Sequence, residues 1–343
     1  MTRPTPATVA GFSLIAAAAA VTAMQTTMKP VPFDQVFYRL CVLSFIAITL
    51  AVSLNMVNGF TGQFSLGHAA FLGVGMYVGM YLANTLGPAF TSAVPGPLVV
   101  KQALALLLLL AVGGAVAALG GLVVGLPSLR LRGDYLAILT LGFGEIVRVT
   151  IQNLNAVGAS RGYQLSAAEA VPSTDTLFFW AAALAVVSVL VSRNLVLSGP
   201  GRAFLAVRED EIAAESVGVN TYKAKVLAFV LAAGFAGMAG VVNGLYNGYA
   251  DPTIQTIGFM RSFEIVVMVV LGGLGSITGA VIAAAILTVL PEVLRGFSEY
   301  RMVAYALLLI VLMLVRPQGI FGTHEFSLDD WLRRVKRSRA EDA

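Results

Sequence analysis

The sequence predicts an all-α polytopic membrane protein of about ten transmembrane segments, some of them broken or re-entrant, and three observations carry that prediction. Hydrophobic residues make up 58% of the 343-residue chain and charged residues only 12%, about half the charged fraction of a typical soluble domain. Mean hydropathy is +0.85, and many windows approach the roughly 20 apolar residues that cross a bilayer as a helix. The apolar runs are continuous rather than alternating, which argues for helices that satisfy their own backbone groups and against a β-barrel.

In chain order the apolar segments fall at 11–28, 34–56, 65–86, 102–125, 135–153, 177–197, 222–246, 259–273, 276–294 and 300–316. The first is Ala-rich behind Arg3 and resembles a signal peptide, but no small-x-small cleavage site precedes a soluble region, so it reads as a retained helix. The eighth is short and is bounded by Gly258 and by Gly272, Gly273 and Gly275, the pattern of a re-entrant or broken helix. The only cysteine, Cys41, lies in an apolar run, so no intramolecular disulfide can form.

Lys and Arg set the orientation. With the amino terminus inside and ten crossings, fourteen basic residues fall on the inner side: Arg3, Arg130, Arg132, Arg193, Arg202, Arg208, Lys223, Lys225, Arg316, Arg333, Arg334, Lys336, Arg337 and Arg339. Six fall outside (Lys29, Lys101, Arg161, Arg261, Arg295 and Arg301), while Arg39 and Arg148 lie within spans. This gives a short inner terminus (1–10), a membrane domain (11–316) with an inner loop at about 199–222, and an inner basic tail (317–343).

A second break is expected at Asn58–Gly67, NGFTGQFSLG, where three glycines interrupt an apolar stretch and bring Asn58, Thr61, Gln63 and Ser65 with them. Glycine permits the backbone of a helix break, and the uncapped amides of the following half-helix carry partial positive charge. Transporters build solute paths this way. His68 closes the break, either as an interhelical hydrogen-bonding group or as a lining residue of the path. Other intramembrane charges stand at i, i+3 spacing, Glu145 with Arg148, Arg261 with Glu264, and Glu292 with Arg295, and read as structural ion pairs rather than a proton relay.

Catalytic constellations are absent from the sequence. His68 and His324 are the only histidines, so no HExxH zinc site exists, and no lysine follows a glycine, which excludes a Walker A loop. The chain is expected to carry no cofactor or metal and to be no enzyme, so any energy source lies outside it. That directs attention to Arg202–Lys225, a charged, helix-patterned island in an otherwise apolar chain. Arg208, Glu209, Asp210 and Glu211 place acidic groups in the first turn of a short helix, Ala213, Ala214 and Ser216 leave one face shallow, and Gly218 supplies a stop. Such a helix suits docking into a groove on a soluble protein; the plainer alternative is a solvated loop helix.

These residues resemble the LivM-like branch of the permease subunits of ABC importers for branched-chain amino acids. The resemblance runs from Leu54 to Gly322 through GFTGQFSLGHAAFLGVGMY (59–77), LRLRGDYLAILTLGFGEIVR (129–148), GRAFLAVREDEIAAESVGVNTYKAKVLAF (201–229), VVLGGLGSITGAV (269–281) and RPQGIFG (316–322). It implies a heteromeric importer in a bacterial inner membrane: this permease, a shorter LivH-like permease, two cytoplasmic ATPases that hold ATP and Mg, and a periplasmic solute-binding protein. It further implies that the loop with Arg202, Arg208, Glu209, Asp210, Glu211, Ala214, Glu215 and Gly218 couples to an ATPase. Where the family carries an outer TGG-x-x-G-like loop, this chain has VGASRGY (157–163), with Arg161 adding a charge, which leaves open urea, amides or other amino acids as solutes. A stand-alone secondary transporter or channel would need its own ion-coupling residues and would have no use for the island, and a membrane enzyme would need a catalytic cluster.

Overall fold

The computed structural model describes residues 35–93, 95, 97–128, 134–167 and 171–294 and a few positions between 303 and 322. The expected segment 11–28, most of 300–316, both termini, Arg130, Arg132 and Arg295 lie outside the described residues. The remaining eight expected segments coincide with helices: α1 Gln35–Asn55, α2 His68–Ala93, α3 Leu98–Ser128, α4 Asp134–Asn153, α5 Thr174–Val196, α8 Thr221–Asn247, α9 Phe259–Gly272 and α10 Ile277–Val293. Between α5 and α8 stand two short helices, α6 Gly199–Glu209 and α7 Glu211–Ser216. Among the described residues, six helices are long and apolar enough to cross a bilayer, while α9 and α10 are shorter. The chain is thus an all-α polytopic membrane protein.

Local chemistry sets the helix ends. The side chains of Ser198, Asn220 and Ser276 accept hydrogen bonds from the amides of Gly201, Lys223 and Gly279 to cap α6, α8 and α10, each satisfying a donor that the first turn leaves unpaired. α8 is the axis of the bundle and packs chiefly against α2 and α3. Backbones approach closely where small residues meet: Gly75 abuts Gly237, Gly240 abuts the Leu72 carbonyl, and Gly121 faces Ala233. Small residues at such crossings replace the hydrophobic drive that lipid cannot supply between helices. An edge-to-face contact between Phe71 and Phe229, centroids 5.6 Å apart, fills the space beside them. α1 packs on α10 and α5, with Phe45 edge-on to Phe178.

The two ends of the bundle differ. At one lie α6 and α7. At the other, β1 Tyr163–Gln164 pairs antiparallel with β2 Tyr249–Ala250, the Tyr77 hydroxyl donates to Ala250 O, and Asn84 accepts from the amides of Ser166 and Ala167. The VGASRGY stretch forms two 3-10 turns there, with the Arg161 carbonyl accepting from the Tyr249 hydroxyl.

α9 begins partway into the bundle. Its first amide, Phe259 N, donates to Glu145 Oε1 at 3.0 Å, and Glu145 is the twelfth residue of α4. The non-helical stretch 251–258 completes the traverse from the β1–β2 end, with Ile257 buried against Gly73. Irregular backbone at membrane depth is tolerated where protein buries it.

Candidate functional site

The island is two helices. The backbone of Asp210 is extended, and its Oδ1 accepts from the amides of Ile212 and Ala213 at 2.8 and 3.0 Å. Arg208 and Glu209 therefore end α6, and of the expected first-turn acids only Glu211 stands in α7. The reason is chemical: an aspartate gains more as a cap than inside a helix. Gly218, at φ +84, stops α7, with Val219 N bonding back to Ala214 O; this left-handed position favours glycine.

The island is fastened to the root of α8 from behind. Lys225 Nζ lies 2.7 Å from Glu211 Oε2, and the Thr221 hydroxyl donates to Glu215 Oε1 at 2.7 Å. Phe204, Val207 and Ala214 are buried beneath it. Arg202, Glu209, Asp210, Glu215 and Gly218 are exposed, Arg208 and Glu211 half-buried. Two residues that pattern reading passed over dominate the outer face: Ile212 and Val217 are 68% and 77% exposed.

The break after α1 is a π-turn, Met56–Phe60, followed by non-helical backbone to Gly67. Most of its polar groups are used within the subunit. The Thr61 hydroxyl donates to Val57 O at 2.7 Å, Asn58 Oδ1 accepts from Ser65 N, and His68 Nε2 lies 2.9 Å from Ser53 Oγ. Thr140 Oγ1 accepts from Leu66 N, and Ser262 Oγ from Ala69 N, so α4 and α9 both hold the break. Asn58, Thr61, Ser65 and His68 are buried; Gln63 alone of the five keeps surface, with Phe64 exposed beside it. Asn58 Nδ2 has no hydrogen-bond partner among the described residues.

A second break, Gly273–Ser276 between α9 and α10, is clamped to the first. Asn55, fully buried at the end of α1, accepts from Gly275 N at 2.9 Å and donates to Ser276 O at 3.1 Å. Arg208 closes the assembly: its Cα and Cγ pack on Gly62, and its Nη1 occupies the place a side chain at Gly275 would need. The island thus touches both breaks through one residue.

Of the spaced charges, Glu145 and Arg148 pair at 2.6 Å and Arg261 and Glu264 at 2.7 Å. Glu145 also caps α9, a second role that i, i+3 spacing does not reveal. The Glu292–Arg295 pairing falls partly outside the described residues.

Residues 36–315 match the family model described as branched-chain amino acid transport system / permease component. The chain is 34% identical over 307 residues to the high-affinity branched-chain amino acid transport system permease protein LivM of Escherichia coli K12, covering 81% of this chain and 68% of the relative. It is 24% identical over 310 residues to the probable branched-chain amino acid transport permease protein LivM of Methanocaldococcus jannaschii, covering 79% and 89%. A shorter stretch of 127 residues is 40% identical to the LivH permease of Salmonella typhimurium, covering 36% and 40%. No solved structure matches the chain.

Proposed function

The chain belongs to the family of branched-chain amino acid transport permease components, and from that premise we propose how its island and its two breaks serve transport. It is a membrane-embedded permease subunit of an ABC importer, in a family whose LivM-type and LivH-type members point to paired permeases. On our reading the driving ATP and Mg are held by two separate cytoplasmic ATPases, a periplasmic binding protein delivers a branched-chain amino acid, and the chain sits in a bacterial inner membrane with both termini and the island cytoplasmic.

The observation that carries the ATPase reading is the outer face of α7. Ile212 stands exposed on a six-residue helix and Val217 at its C-cap, and Lys225 and Thr221 fasten that helix from behind. Exposed apolar side chains on a rigid, otherwise polar protrusion mark a protein-docking surface. Arg202, Glu209, Asp210 and Glu215 form its charged rim, while Glu211 and Ala214 serve the fastening. Closure of the ATPases would shift α6, and Arg208 would pass that shift to Gly62 and Gly275. The first break would then border the solute path through Gln63, with Asn58, Thr61, Ser65 and His68 holding its shape.

Replacing Ile212 and Val217 together by lysine tests this in the importer purified with its ATPases. The expected result is a permease that inserts and folds but no longer retains the ATPases. Retained ATPases with undiminished ATP-driven uptake would overturn it.

A further inference from the structure

We infer that the face shared by α4 and α9 is the seam on which a second permease subunit packs, rather than a surface for lipid. Among the six candidate spans α4 is the least buried, with 28% of its apolar window inside the bundle. α3 is nearly as open, at 39%, but its mean hydropathy of 2.5 suits hydrocarbon, whereas that of α4 is 1.3. α2 shares the value of 1.3 and is 61% buried. α4 therefore joins the widest exposure to the lowest apolarity, which suits neither the core of this subunit nor lipid.

α9 extends the anomaly. Glu264 keeps 51% of its side-chain surface and Arg261 24%, and Glu145 keeps 26% on the adjoining α4. Counted from the C-terminus of α9 at Gly272, Glu264 lies about 12 Å and Arg261 about 16 Å along the helix, within a hydrocarbon layer about 30 Å thick. Ionised groups at that depth do not face lipid; they face protein or a water-filled path. Soluble partners such as an ATPase or a binding protein cannot reach them. The occupant is a second membrane-embedded bundle of the same family, with Ile146 and Phe263, 60% and 57% exposed, supplying apolar contact beside the charges.

The inference rests on the permease reading above, and photocross-linking separates the two. A photoreactive phenylalanine analogue replaces Ile146, Phe263 or, as the lipid-facing comparison on α3, the 68%-exposed Val123 in the assembled importer. Adducts to a permease subunit are expected from positions 146 and 263 and lost at 123, where lipid is captured. Permease adducts from 123, with only lipid adducts from 146 and 263, overturn the assignment of the seam. Native mass spectrometry of the same complex counts the subunits: a functional importer holding a single permease would sink the paired-permease reading itself, whatever the cross-links show.

Discussion

The Lys225 ammonium lies 2.7 Å from the Glu211 carboxylate, with the lysine side chain 1% exposed and the glutamate 23%. The island is thereby tied to α8, the axis of the bundle, instead of hanging from two loops. Removing the carboxylate leaves a buried cation without its partner. Glu211→Ala is expected to cost about 3 kcal/mol, the low end for a broken buried pair because the glutamate retains some solvent. Replacing both members, Lys225→Met with Glu211→Gln, removes the buried charge and should restore most of that loss. Equilibrium unfolding of the purified permease in detergent measures both; equal losses in the single and double variants would show that the pair does not hold the island.

Arg208 and Gly275 make a second prediction. Gly275 has φ +87, so alanine there carries left-handed strain of about 1–2 kcal/mol, and its methyl also meets the Arg208 guanidinium. Arg208→Ala removes the obstruction but not the strain. The double variant should therefore be less damaged than the sum of the singles, with a coupling of about 0.5–3 kcal/mol, as for residues in contact. Thermal unfolding supplies the stability cycle, and uptake by proteoliposomes with the ATPases supplies its functional counterpart. Strict additivity in both would deny that the two residues press on one another.

Helix positions were legible because each apolar run announces its own length. The expected 222–246 became Thr221–Asn247 and the expected 259–273 became Phe259–Gly272. The irregular start of the latter was legible in its glycines. The site was less so. Asn55 reads as one polar residue in an apolar helix, and the groups it clamps are 220 and 221 residues away. Lys225 reads only as one of the inner-side basic residues, because burial depends on what α7 brings above it. The bend at Asp210 was hidden for another reason: an acid at a helix start and an acid capping it look alike in a run of four charges. Local chemistry is written locally, whereas the meeting of Arg208 with two distant glycine turns exists only once the helices pack.

Gln63 and His68 are separated by burial. Single cysteines at these positions, in a Cys41→Ala background that removes the only native thiol, are expected to react differently with a water-soluble maleimide. Cysteine at 63 should label, and its labelling should change when ATP is added. Cysteine at 68 should stay protected with and without nucleotide, because His68 is 3% exposed and held against Ser53. Labelling at 68 in any nucleotide state would move the solute path inward, onto the buried side of the break.

Two glycines in neighbouring helices test the packing of the axis. Gly75 on α2 faces the backbone of Gly237 on α8, leaving no room for a methyl group. Gly75→Ala must therefore push the helices apart, with an expected loss of about 1–3 kcal/mol, toward the upper end because the obstruction is backbone rather than a movable side chain. Gly120 on α3 has only the Phe71 ring near the position of an added methyl, at ordinary contact distance. Gly120→Ala should be neutral or stabilise by up to about 1 kcal/mol through helix propensity. Since α2 carries the His68 end of the break and α8 carries the island's anchor, Gly75→Ala should also weaken uptake more than the turnover of bound ATPases, whereas Gly120→Ala should alter neither. Equal behaviour of the two variants in unfolding and uptake would mean that the close α2–α8 approach is not what keeps the break in register with the island.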